Sequence, residues 1–113
     1  MAFYESIFIL KSSVSEEEAS VVQDKMKETL EKHGASIIKA ENWGKKKLAY
    51  EIAHDRRGTY TFLQFEAGGN VVSELERLYR LEDSILKFLT VRVDEEALQV
   101  PAVETVESDS GGV

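Results

Sequence analysis

The sequence has no cysteine and a single proline, Pro101, among its 113 residues. Without cysteine there is no disulfide framework, no thiolate nucleophile and no cysteine zinc site, so the core must hold by packing alone. Histidine is scarce too: His33 and His54 are the only two, at a separation that fits no two-histidine metal motif. Long apolar runs are missing. Ile7 to Leu10, bounded by Glu5-Ser6 and Lys11, suits neither a membrane span of about 20 residues nor a secretory leader. No G-x-S-x-G elbow surrounds a serine, and Gly68-Gly69 lacks both the phosphate-loop lysine and the dinucleotide fingerprint. These absences leave little room for an enzyme or a cofactor, and none is expected.

What is present is an uneven distribution of charge. The net charge is -7, yet six acids (Asp94, Glu95, Glu96, Glu104, Glu107, Asp109) follow Val93 with no lysine or arginine among them. The preceding residues hold all 14 basic groups against the other 15 acids and are nearly neutral. Within them, Gly44 to Gly58 (GKKKLAYEIAHDRRG) gathers Lys45, Lys46, Lys47, Arg56 and Arg57 against Glu51 and Asp55. Screening beyond roughly 8 to 10 Å lets such a patch meet phosphates whatever the overall charge.

Periodicity places the patch. Phe3 to Leu10, rich in β-branched and aromatic residues, predicts a buried strand. Ser15 followed three residues later by Glu18 is a capping box, with Glu16, Glu17 and Glu18 where a helix dipole favours anions. Ala19, Val22, Met26 and Leu30 then make one apolar helical stripe, which Gly34 ends. Ile38, Ala40, Leu48, Tyr50 and Ile52 share parity and predict strand structure bent near Gly44 and Trp43. Ala53 to Arg57 reads as a turn and Thr59 to Glu66 as a strand, with Tyr60, Phe62 and Gln64 facing opposite to Thr61, Leu63 and Phe65. Asn70 is the expected cap of a second helix carrying Val72, Leu75, Leu78 and Tyr79, and Ile85 to Val93 is the last strand. The order β-α-β-β-α-β points to an α+β, ferredoxin-like split βαβ sandwich: a four-stranded antiparallel sheet, order 4-1-3-2, with two helices on one face and the basic strand at an edge. The expected division is a domain over 1-95 and an acidic, disordered tail over 96-113.

Candidate chemistry is thin outside the basic hairpin. His33 fits a last-turn residue meeting helix carbonyls, and His54 beside Asp55 fits a solvated turn. Glu82-Asp83 and Glu95-Glu96 are adjacent acids that flank element ends rather than converge on a pocket. Arg57-Gly58-Thr59-Tyr60-Thr61-Phe62-Leu63-Gln64-Phe65 matches the third strand of an RNA-recognition motif only with one residue inserted after the glycine, which changes the face each ring takes. Lysines at a sheet edge commonly deter strand-to-strand aggregation, but three in a row with two arginines across the turn exceed that need and suit backbone phosphates. From chemistry alone three readings stay open: a nucleic-acid-binding hairpin, a single-strand RNA binder stacking bases on Tyr60 and Phe62, and a ferredoxin-like small-molecule regulatory dimer.

The hairpin also carries a family likeness. Gly44-Lys45-Lys46-Lys47-Leu48-Ala49-Tyr50-Glu51-Ile52 resembles the Gly-x-Arg/Lys-x-Leu-Ala-Tyr-x-Ile signature of bacterial small-subunit (30S) ribosomal protein S-six. Tyr4-Glu5, and Leu75-x-Arg77-x-x-Arg80 leading into Ile85 to Val91, resemble that family as well, so the likeness covers residues 3 to about 95. It departs at Ala2 and Phe3, where many members are basic. The resemblance implies a cytoplasmic, ribosome-associated structural protein without catalysis, binding the central domain of 16S ribosomal RNA together with ribosomal protein S-eighteen. It makes Lys45, Lys46, Lys47, Arg56, Arg57, Arg80, Lys87 and Arg92 the candidates for RNA or partner contact.

Overall fold

In the computed structural model residues 1–95 are described, so the expected acidic tail lies outside the described residues. The elements run β1 (Ala2–Lys11), α1 (Glu16–Lys32), β2 (Ser36–Ile52), β3 (Asp55–Ala67), α2 (Gly69–Leu81) and β4 (Ile85–Val93). The four strands form one antiparallel sheet in the order β2-β3-β1-β4, the expected order read from the other edge.

Strand alternation sorts β1 and β3 between two apolar layers. Phe8, Leu10, Leu63 and Phe65 pack beneath the helices with Ala19, Val22, Met26 and Leu30 of α1 and Val71, Leu75 and Tyr79 of α2. Ile7, Ile9, Tyr60 and Phe62 turn to the opposite face and join Leu48 in a second buried cluster. The capping box at the head of α1 is complete, Glu18 N–H donating to Ser15 Oγ at 3.1 Å and Ser15 N–H to Glu18 Oε1 at 3.2 Å. His33 is the C-cap, its Nδ1 donating to the Thr29 carbonyl at 2.8 Å, and Gly34 takes the left-handed conformation. Ser6 Oγ lies 2.7 Å from the Tyr79 hydroxyl and 2.8 Å from Thr90 Oγ1, tying α2 to β1 and β4 through the core.

Three local expectations need correction. The second helix starts at Gly69 with Gly68 as N-cap and no side-chain cap; Asn70 lies inside its first turn. The hairpin turn is Ala53-His54 alone, both at positive φ, because Ile52 already pairs with Asp55. The common parity of β2 does not hold either, because its pairing with β3 shifts register at three places. The first shift, between Ile37 and Lys39, lets both Ile37 and Ala40 reach the helix-side core and leaves Ile38 42% exposed.

Candidate nucleic-acid interface

The remaining two register shifts shape the basic hairpin. The second centres on Trp43: Asn42 Oδ1 accepts from the Gly44 N–H at 2.7 Å, and Gly44 adopts φ 82, so the strand bends there. The bend lays the Trp43 ring on Phe62, centroids 5.0 Å apart and planes within 13°. Beyond Lys47 the third shift sets Leu48 to Glu51 opposite Arg56 alone. This wide bulge buries Leu48 against Ile9 and Tyr60 and carries the hairpin tip over the open sheet face. Tyr50 thereby reaches the far edge strand, where Lys87 Nζ donates to its hydroxyl at 2.8 Å.

Gly58 allows the hairpin to sit this closely on β1. A Cβ at that position would stand 2.4 Å from Ile9 Cγ2 and 2.9 Å from the Leu10 carbonyl oxygen, so no side chain fits without movement of the backbone. Ser12 Oγ donates to Asp55 Oδ1 at 2.7 Å and fastens the start of β3 to the end of β1.

The basic residues divide into distinct settings. Lys46 stands over the aromatic floor, its Nζ 5.1 Å from the Trp43 ring centroid and 5.8 Å from that of Tyr60. Lys45 turns toward the head of α1, beside Val14, Ser15 and Glu16. Lys47 pairs in register with Arg57, placing two cations directly across from one another. Arg56 lies beside them, paired with Glu51 at 3.5 Å through largely exposed side chains. Lys87 shares the open face through Tyr50, whereas Arg92, in register with Tyr4, belongs to the helix side of the same strand. Arg80 is exposed in the last turn of α2. Lys46, Lys47, Arg56, Arg57 and Lys87 thus all belong to the hairpin or to the strand its tip reaches, with Lys47 and Arg57 alternating to the side opposite Lys46, whereas Arg80 and Arg92 lie elsewhere.

Burial decides between the two parts open to the aromatic residues of β3, packing and base stacking. Tyr60 is 6% exposed and Phe62 not at all, so neither offers a ring to a base, and the reading that stacks RNA on them fails on burial. The exposed ring is Tyr50, at 60%. Parity alone grouped Tyr50 with Leu48 and Ile52; the signal available in the sequence was a tyrosine set between Lys47 and Arg56, a position better suited to a ligand than to a core. Among the described residues no three acidic or histidine side chains gather to hold a metal ion, and no helix is long and apolar enough to cross a membrane.

Comparison with known proteins matches residues 3–92 to the family model described as Ribosomal protein S6. The chain is 39% identical over 94 residues to the small ribosomal subunit protein bS6 of Rickettsia rickettsii, covering 83% of this chain and 78% of that protein. It is 40% identical over 104 residues to the bS6 of Desulforapulum autotrophicum, covering 88% and 67%. The crystal structure of 30S ribosomal protein S6 from Thermotoga maritima superposes with a TM-score of 0.78 at 32% identity, covering 96% of each chain.

Proposed function

The chain belongs to the ribosomal protein S6 family of the small ribosomal subunit, and from that membership we propose that it binds the central domain of 16S ribosomal RNA together with ribosomal protein S-eighteen. The family is non-enzymatic, and the work assigned to this chain is binding and scaffolding. The observation that carries the RNA half of the reading is the cross-strand pair Lys47 and Arg57. Like charges directly opposite on a sheet oppose folding by a few tenths of a kcal/mol unless an anion lies between them, and Lys46 and Arg56 flank the pair. A phosphate backbone supplies that anion, each neutralised phosphate adding about 0.7 to 0.9 to the salt slope of binding. The six acids after Val93 suit a basic protein partner rather than RNA.

The test is a titration of central-domain RNA with the preformed protein pair. Lys46→Glu combined with Arg57→Glu should weaken RNA binding at least tenfold and lower the salt slope by about 1 to 2. Unchanged RNA affinity of the partnered variant overturns the assignment.

A further inference from the structure

The hairpin tip holds a groove of about 330 Å³ lined by Lys47, Leu48, Ala49, Tyr50, Glu51 and Arg56. We propose that this groove takes one unpaired nucleotide of RNA, its base stacked on the ring of Tyr50 and its phosphate held by Lys47 and Arg56. The inference rests on the RNA-binding reading and deepens it by naming the contact that is not phosphate alone.

Three observations converge on it. The ring of Tyr50 is exposed, whereas Trp43, Tyr60 and Phe62 are consumed in packing with one another and with Lys46. The ring is also held in place. Lys87 Nζ lies 2.8 Å from its hydroxyl but 5.2 Å from its centroid, so the ammonium sits at the hydroxyl end and leaves the body of the ring accessible. An aromatic ring fixed at both its Cβ and hydroxyl ends loses little conformational freedom when a base settles on it. Finally, the groove pairs that flat apolar surface with two cations, at the lower end of the roughly 300 to 1,000 Å³ of ordinary small-ligand sites. Glu51 moderates the charge to a net of one positive, through its 3.5 Å pairing with Arg56. That suits a single phosphate rather than a duplex backbone, and base–aromatic stacking is the usual complement to such a cation in single-strand binding.

The test compares wild type with Tyr50→Leu, Tyr50→Phe and Tyr50→Trp. Each is titrated, paired with its protein partner, against central-domain RNA, and separately against a short oligoadenylate that needs no ribosomal site. Stacking predicts that Tyr50→Leu weakens RNA affinity at least about fivefold with the salt slope unchanged. Tyr50→Phe should stay within about twofold of wild type, because it loses the Lys87 hydrogen bond but keeps the ring. Tyr50→Trp should bind at least as tightly as wild type. Equal affinity of Tyr50→Leu and wild type on both RNAs overturns the inference. So does a loss traced wholly to weaker pairing with the protein partner measured without RNA, which would make Tyr50 a protein contact. If wild type binds oligoadenylate in the stacking order but ignores central-domain RNA, the groove stands and the ribosomal assignment falls.

Discussion

Lys87 donates a hydrogen bond to Tyr50 although their strands, β4 and β2, are the two opposite edges of the sheet. The contact passes over β3 and β1 and depends on the wide bulge from Leu48 to Glu51. Lys87→Met should therefore release the tip without unfolding the domain. Amide hydrogen exchange should quicken across residues 48–57, while the urea midpoint of the whole domain falls by less than about 1 kcal/mol equivalent, as suits an exposed hydrogen bond.

Gly58→Ala should be among the most damaging single-methyl additions available. Ile9 can change rotamer, but the Leu10 carbonyl oxygen belongs to the backbone of the central strand and cannot withdraw alone. A loss of about 1 to 3 kcal/mol is expected from urea denaturation; a variant as stable as wild type would show that β1 and β3 can separate locally at no cost.

Ala53 and His54 both occupy left-handed backbone, with φ 47 and 71, in a two-residue hairpin loop. Side chains there cost about 1 to 2 kcal/mol per residue relative to glycine, and Asn-Gly is the preferred pair for this geometry. Ala53→Asn with His54→Gly should raise the unfolding free energy by roughly 1 to 2 kcal/mol. No gain on thermal or urea denaturation would contradict the turn assigned here.

Tyr79→Phe and Ser6→Ala probe the same buried contact from its two sides. The phenylalanine leaves Ser6 bonded to Thr90 and should cost about 0.5 to 1.5 kcal/mol. The alanine removes the hydrogen-bond partner of both the Tyr79 and the Thr90 hydroxyl and should cost more, about 1 to 3 kcal/mol. Burial also pushes the Tyr79 hydroxyl well above its ordinary pKa, despite its hydrogen bond with Ser6. It should accordingly stay un-ionised at alkaline pH until the fold opens, which ultraviolet titration can follow.

Glu82 joins α1 to the loop before β4 through Lys25, Nζ to Oε2 at 3.1 Å. Partial burial works to raise the carboxyl pKa, but the hydrogen bonds from Lys25 and Ser84 and the Lys25 charge outweigh it, and the net shift is downward. A depressed folded pKa stabilises the protein above the unfolded value of about 4.3 and loses that contribution as pH falls through the folded value. With the Lys25 side chain 55% exposed, the contribution should stay below about 1 kcal/mol. Glu82→Gln should narrow the stability difference between neutral and strongly acid pH by that amount. An unaltered pH profile would remove Glu82 from the account.

Much of this was legible in the chain because local chemistry and tertiary packing agree. The Ser15–Glu18 box, the Ala19 to Leu30 stripe, the stop at Gly34 and the split of Tyr60 and Phe62 from Leu63 and Phe65 all follow from spacings a few residues long. The failures share one cause, which is that register depends on a partner strand. Nothing within Ile37-Ile38-Lys39 announces that pairing slips there and sends Ile38 outward, or that four residues from Leu48 to Glu51 will face one residue of β3. Gly68 capping α2 in place of Asn70 is a smaller case of the same kind, since the position where β3 ends decides where the helix begins. The basic cluster was legible as composition, but its separation from Arg80 and Arg92 and the exposure of Tyr50 needed three dimensions.

The central position of β1 also bears on how the molecule is made. β1 is the first strand to be synthesised, yet it pairs with β3 on one side and with β4, completed only at Val93, on the other. A nascent chain ending after α2 has a three-stranded sheet with one flank of β1 open, and with Phe88 still missing from beside Tyr79. Strand-edge protection therefore arrives last in time, and the final dozen residues of the domain decide whether the growing chain closes on itself or pairs with a neighbour.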